Sequence, residues 1–215
     1  MTEAAAGAAE ELHARRDVYR LASRLLAREI DAPLYDRLLT LGLLDGSCTL
    51  DDLAAEFCRL FIGPKPVCLP YASARRVPAL LHAEPERRFV AFLTAHGLDT
   101  VLDPGLTLLG RDHLAVELAV LAHLHDAAAG SPAPVAAAAW QQSRTLVADH
   151  LLPWAADVAS ELAVAARLAP YSLVARSLVA LLGTESSLAP PAAAVSPAQA
   201  TPWISEVGAM RSRPR

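Results

Sequence analysis

Apolar side chains along this chain recur with helical spacing rather than with strand alternation. From the first dozen residues to Ile30, Leu12, Tyr19, Leu21, Leu25 and Leu26 line up on one side. Arg15, Arg16, Arg20, Arg24 and Arg28 fall largely on the other, which predicts a helix with one dry face and solvated arginines. Asp31-Ala-Pro33 offers a capping residue and a first-turn proline for a second helix that carries Leu34, Leu38, Leu41 and Leu44 and ends near Gly46. Thr49-Leu-Asp-Asp52 opens a third helix, whose stripe is Leu53, Phe57, Leu60 and Phe61. The stretch from Gly63 to Ser73 then breaks the period, because Pro64, Pro66 and Pro70 withdraw backbone donors and restrict their predecessors. It is too poor in Gly and Ser for a flexible linker, and Val67, Leu69 and Tyr71 are the groups expected to dock it.

Helical patterning returns from Glu84 to His96, with Phe89, Phe92 and Leu93 apolar and Gly97 placed as a stop. The run from Asp112 to Leu124 is apolar around so much of its circumference that it is expected to be central, and Gly130-Ser-Pro-Ala-Pro134 closes it. Two further segments, Val135 to Asp149 and His150 to Leu168, meet at Asp149-His-Leu-Leu-Pro-Trp154, with Pro153 in the first turn of the second. Pro170 begins a final helix, Tyr171 to Leu182, which Gly183 is expected to end. The fold class is therefore all-α: one domain over residues 1–183, a bundle of about eight helices with a proline-rich loop after the third. Residues 184–215, rich in Ala, Pro and Ser, read as a mobile tail in which Trp203-Ile204 is the one pair able to dock.

Composition narrows the function classes. Hydrophobic residues make up 53% of 215, enough for a sizeable core. A formal charge of −4 supplies no positive field for nucleic acid or anionic lipid. Met1 to Glu10 does not read as a secretory signal, and charged residues or His interrupt every apolar stretch before membrane-spanning length, so a cytoplasmic protein without membrane insertion is expected. Cys48, Cys58 and Cys68 form no C-x-x-C pair and are expected as reduced, buried or half-buried small hydrophobes.

No nucleophile-base arrangement, phosphate loop or zinc-protease motif is legible, so no catalytic residue and no cofactor is expected. His113 and Glu117 stand one helical turn apart, with His123 and His125 beyond, a spacing open to metal. Local satisfaction at a helix start that begins on Asp112 accounts for the same residues without one, and no metal is expected. Arg15-Arg16, Arg75-Arg76 and Arg87-Arg88 read as solvated surface.

Three stretches together resemble the redox enzyme maturation chaperones of the TorD/DmsD/NarJ type. They are Glu56-Phe-Cys-Arg-Leu-Phe-Ile-Gly-Pro64 running into Pro70-Tyr-Ala-Ser73; Asp112-His-Leu-Ala-Val-Glu-Leu118; and His150-Leu-Leu-Pro-Trp154 followed by an Ala-rich helix and Pro170-Tyr171. The sequence departs from the family pattern at Gly110, Ala72, Arg75 and Arg76. The resemblance implies a chaperone, not an enzyme, that binds the twin-arginine leader and apo catalytic subunit of a molybdopterin enzyme, supports cofactor insertion and delays export. It acts as a monomer or a domain-swapped homodimer. Leader binding carries over to Asp112 and His113, with Glu117 beside them, and to Pro70, Tyr71 and Ser73 of the proline loop. The alternative is an all-helical ligand- or nucleotide-binding regulatory protein, against which stand the missing phosphate loop and the absence of a basic recognition helix.

Overall fold

The computed structural model describes residues 3–75, 83–99, 106, 109–191 and 194. Among the described residues, eight α-helices run α1 (Glu3–Ala27), α2 (Ala32–Thr40), α3 (Leu50–Phe57), α4 (Glu84–His96), α5 (Leu114–Gly130), α6 (Ala133–Leu146), α7 (Ala155–Ala165) and α8 (Ala169–Glu185). Helix starts follow the caps written in the sequence. Asp31 accepts from the Leu34 N–H at 3.1 Å, and Thr49 and Asp52 close a reciprocal capping box. Gly97 ends α4 with a φ of 66°, a left-handed conformation that costs glycine nothing.

Helix α5 is apolar all round and is the axis of the molecule: Leu114, Val116, Leu118, Leu121 and Leu124 are all buried. Helix α1 packs most extensively against it, α6 covers another side, and α7 and α8 pair and close back onto α1. The resulting apolar cluster takes residues from Leu12 in α1 to Ala194 beyond α8.

Several boundaries and faces differ from the sequence pattern. Helix α8 runs through Gly183 to Glu185, because Glu185 is buried and hydrogen-bonded and that gain outweighs roughly 1 kcal/mol for a helical glycine. The chain also stays on the body past residue 183: Leu188 packs on the core, and Pro191 and Ala194 are buried. Trp203 and Ile204 lie outside the described residues. Arg15, expected in solvent, is 7% exposed; its guanidinium bonds Glu11, Glu185, Thr184 and the Leu181 carbonyl, so it is a buried charge with every neighbour it needs. Pro153 precedes α7 instead of opening it, because the chain after α6 keeps coiling through Val147–Leu151 as a π-helical turn. A matching π turn, Cys58–Ile62, extends α3. It exposes Cys58, while Cys48 and Cys68 are buried; all three thiols are free.

Candidate functional site

The segment between the first π turn and Ser73 is held from both ends. The Gly63 N–H donates to Cys58 O at 2.7 Å, closing the π turn, and the Val67 and Cys68 N–H groups donate to Arg59 O and Leu60 O at 3.3 and 2.9 Å. Side chains then alternate. Cys68 and Pro70 point into the body, whereas Val67 and Leu69 are about half exposed at 46% and 45%, so two of the three groups expected to dock the loop face water. Strand-like alternation in a segment pinned at Cys68 sends its neighbours outward.

The far end of the loop pairs with the residues before α5. Leu114 N–H donates to Pro70 O at 2.8 Å, Ala72 N–H to Asp112 O at 3.0 Å, and Ser73 N–H to the Asp112 carboxylate at 2.8 Å. Tyr71 and His113 thus form an isolated antiparallel bridge, and their rings meet edge to face with centroids 4.6 Å apart. Helix α5 is capped by His113, one residue later than expected: its Nδ1 accepts from the Ala115 N–H at 3.1 Å, which requires the proton on Nε2. Burial pushes the His113 pKa down to about 3, so the imidazole stays neutral and free to accept. Pro70, Tyr71, Ser73, Asp112 and His113 are in this way brought into one knot. Asp112 and His113 are 1% and 4% exposed and face the loop, not solvent. Gly110 lies close beside them: a Cβ there would come to 3.3 Å from both Asp112 Oδ1 and the Tyr71 ring, which would have to give by a few tenths of an ångström.

The Glu56-to-Pro64 stretch has a comparable structural task. Arg59 grips Glu56 with Nε and Nη2 at 2.7 and 2.8 Å and also reaches Ala165 O, while Arg167 N–H donates to Glu56 at 2.7 Å. Burial alone would raise Glu56, but these donors outweigh it and hold its pKa below the usual carboxylate value. The fork fastens the end of α3 to the junction of α7 and α8.

Glu117 stands one turn into α5 and differs from the knot. It is 1% exposed, its Oε2 has no hydrogen-bond partner, and it lines a cleft of about 160 Å³. The cleft walls are Ala72 and Arg75 from the loop end, Pro85 and Arg88 from α4, Asp149 and His150 from the second π turn, and Pro153 and Trp154 from the connection to α7. Burial first, and the nearby Asp112 charge second, raise the Glu117 pKa well above its ordinary value. The Trp154 indole offsets part of that rise, although its Nε1 closes no hydrogen bond of good geometry. Arg75 Nε is likewise buried without a partner, while the same guanidinium bonds Glu161 at 2.6 Å and Leu69 O at 3.2 Å. Each such unpaired buried group costs about 1–3 kcal/mol, which a ligand offering the complementary group would recover. His150 packs between Phe89 and Phe92, and burial, then Arg88, lowers its pKa.

Sequence reasoning placed Glu117 near the site but read Arg75 as solvated and His150-Leu-Leu-Pro-Trp154 as a helix junction. Nothing local marks Arg75, Asp149, His150 and Trp154 as neighbours of α5. Among the described residues, no group of three or more His, Cys, Asp or Glu side chains is placed to hold a metal ion, and no helix is long and apolar enough to cross a membrane.

Fold and cleft together define an all-helical protein with a polar cleft lined by a buried, incompletely bonded carboxyl. Residues 24–160, well over half of the chain, match the nitrate reductase delta subunit family, and the chain belongs to it. That family consists of maturation chaperones for molybdoenzymes, working with molybdoenzyme subunits, rather than of catalysts. No curated protein gives a match to the chain.

Proposed function

We propose that this protein is a dedicated cytoplasmic, non-enzymatic chaperone that binds the twin-arginine leader and apo catalytic subunit of a molybdopterin-containing oxidoreductase. It supports cofactor insertion, delays export, and acts as a monomer or a helix-exchanging homodimer. The observation that carries this reading is the buried Glu117 carboxyl, whose Oε2 has no hydrogen-bond partner, in a cleft whose rim adjoins exposed apolar residues. Arginine side chains of a leader find acceptors in Glu117 and Asp149, since Arg75 is already met by Glu161. The apolar part of the leader lies on Ile62, Val67 and Leu69, which are 64%, 46% and 45% exposed, and Leu69 joins this patch to the cleft through its hydrogen bond to Arg75. Asp112, His113, Pro70, Tyr71 and Ser73 act from beneath, fixing the loop that carries the patch.

Burying about four leader side chains contributes on the order of 6–12 kcal/mol gross. Ordering the peptide costs about 2–5 kcal/mol of that, which leaves weak to low-micromolar binding and permits release. Calorimetric titration of a leader peptide tests the assignment. Glu117→Gln is expected to weaken binding about tenfold, the equivalent of roughly 1.4 kcal/mol. Asp112→Asn and His113→Ala weaken it through a loosened loop. Unchanged affinity in all three folded variants rejects the site.

A further inference from the structure

Arg75 stands where the exposed apolar patch meets the cleft. Its Nη1 donates to Glu161 of α7 at 2.6 Å and its Nη2 to Leu69 O at 3.2 Å, so one guanidinium ties the patch, the cleft wall and α7 together. Glu161 first, and then Asp157 one turn before it on the same helix, favour the charged form of Arg75; both carboxylates are exposed.

The other charges around the cleft are unevenly committed. Arg88, the second cation of the lining, has Glu84 at 3.5 Å from its Nε, and burial first and Arg88 second disfavour a charge on His150. Glu117, whose Oε2 has no hydrogen-bond partner, and the exposed Asp149 are the carboxyls that line the space itself. Its volume is about 160 Å³, close to the roughly 150 Å³ that encloses one benzene-sized group. One planar guanidinium, with five N–H donors in a fork, fits that room and spans two acceptors. A second would lie against Arg75 or Arg88, where like charges repel.

We propose that Arg75 is a specificity-determining residue: by engaging Glu161 it restricts the cleft to a single guanidinium of the bound leader. This rests on the leader reading given above. Neighbouring arginines are then read unequally, one between Glu117 and Asp149 and the other in water at the rim.

Calorimetric titration with a synthetic peptide of two adjacent arginines and a following apolar run, and with versions in which either arginine is replaced by glutamine, tests this. For the unaltered protein one replacement weakens binding about tenfold, as for a lost charged hydrogen bond, and the other less than about twofold, as for a rim charge. Arg75→Gln releases Glu161, so the two-arginine peptide binds about fivefold tighter and both replacements become costly. Adding Glu161→Gln to Arg75→Gln removes the gain. Unchanged or weaker binding to Arg75→Gln with the unequal pattern retained, the outcome for a residue that only props the loop, overturns the proposal. Equal losses from both replacements in the unaltered protein overturn it as well. Should Arg75→Gln fail to fold by circular dichroism, Glu161→Gln carries the test: Arg75, released toward Glu117, competes with the peptide and lowers its affinity about fivefold, whereas unchanged affinity overturns the proposal. If the two-arginine peptide does not bind the unaltered protein at all, the leader reading fails and this inference with it; peptide binding without the unequal pattern removes the inference alone.

Discussion

Glu185 and Glu117 are each 1% exposed, and burial raises the pKa of both, yet their surroundings have nothing else in common. Glu185, at the end of α8, accepts from Tyr19 Oη and, at 3.1 Å, from Arg15; His125 stands 3.7 Å away and Arg144 bonds the Glu185 backbone carbonyl. These contacts lock α1, α5, α6 and α8 together. Glu117 has an oxygen with no partner, an adjacent like charge in Asp112 and an open cleft in front of it. One carboxyl is tied through Oε1 to Arg15 and Tyr19 inside the protein, whereas the other has an oxygen without a partner beside a cleft that opens outward. Burial by itself does not tell these two acids apart; the hydrogen bonds each makes inside the protein do.

The contrast can be broken most severely at Glu185. Glu185→Ala strands Arg15 and Tyr19 in the interior and is expected to cost about 3–5 kcal/mol of unfolding free energy, read as a lower urea midpoint. Acid acts next. His113 and His125 are both pushed by burial to a pKa of about 3, so as pH falls below the free-imidazole value the unfolded chain takes up protons that the folded one refuses. Stability therefore drops between neutral pH and about pH 5, by on the order of 1–2 kcal/mol for each imidazole. Glu117 works in the other direction. Its folded pKa is raised, so its contribution is fully present below the unfolded carboxylate pKa and is lost as pH rises through the folded one.

Replacing Glu117 consequently carries the opposite sign from replacing Glu185. Glu117→Met is expected to stabilise by about 1 kcal/mol, with the gain larger at alkaline than at acid pH; equal urea midpoints for Glu117→Met and Glu185→Ala would erase the distinction. The smallest effect is at Gly183, in the last turn of α8. No atom lies within 4 Å of a Cβ added there, so Gly183→Ala is expected to raise stability by roughly 0.5–1 kcal/mol in thermal melts.

What was legible in the sequence follows the range of the forces involved. Helices were readable because apolar period, the Thr49 and Asp31 caps and the Gly97 stop act within a turn or two. The central place of α5 was readable from its all-round apolarity. The helix start at His113 was not, because Asp112 had a competing use, the Ser73 N–H, 39 residues away in sequence. Arg15 was misplaced for the same reason: its partners Glu185 and Thr184 are on the last helix. The loop residues Pro70, Tyr71 and Ser73 were recognisable by resemblance. That Val67 and Leu69 turn outward depends on Cys68 being pinned to the first π turn, which no local pattern announces.

The cleft's far wall is set by counting. Because the Leu152 N–H reaches back to Val147 O, five positions instead of four, this stretch holds one surplus residue relative to an unbroken α-helix. Taking it out would restore the ordinary winding and rotate Asp149 and His150 by roughly 100° about the axis, away from the space they now border. A change of length at this one spot would thus redraw that wall.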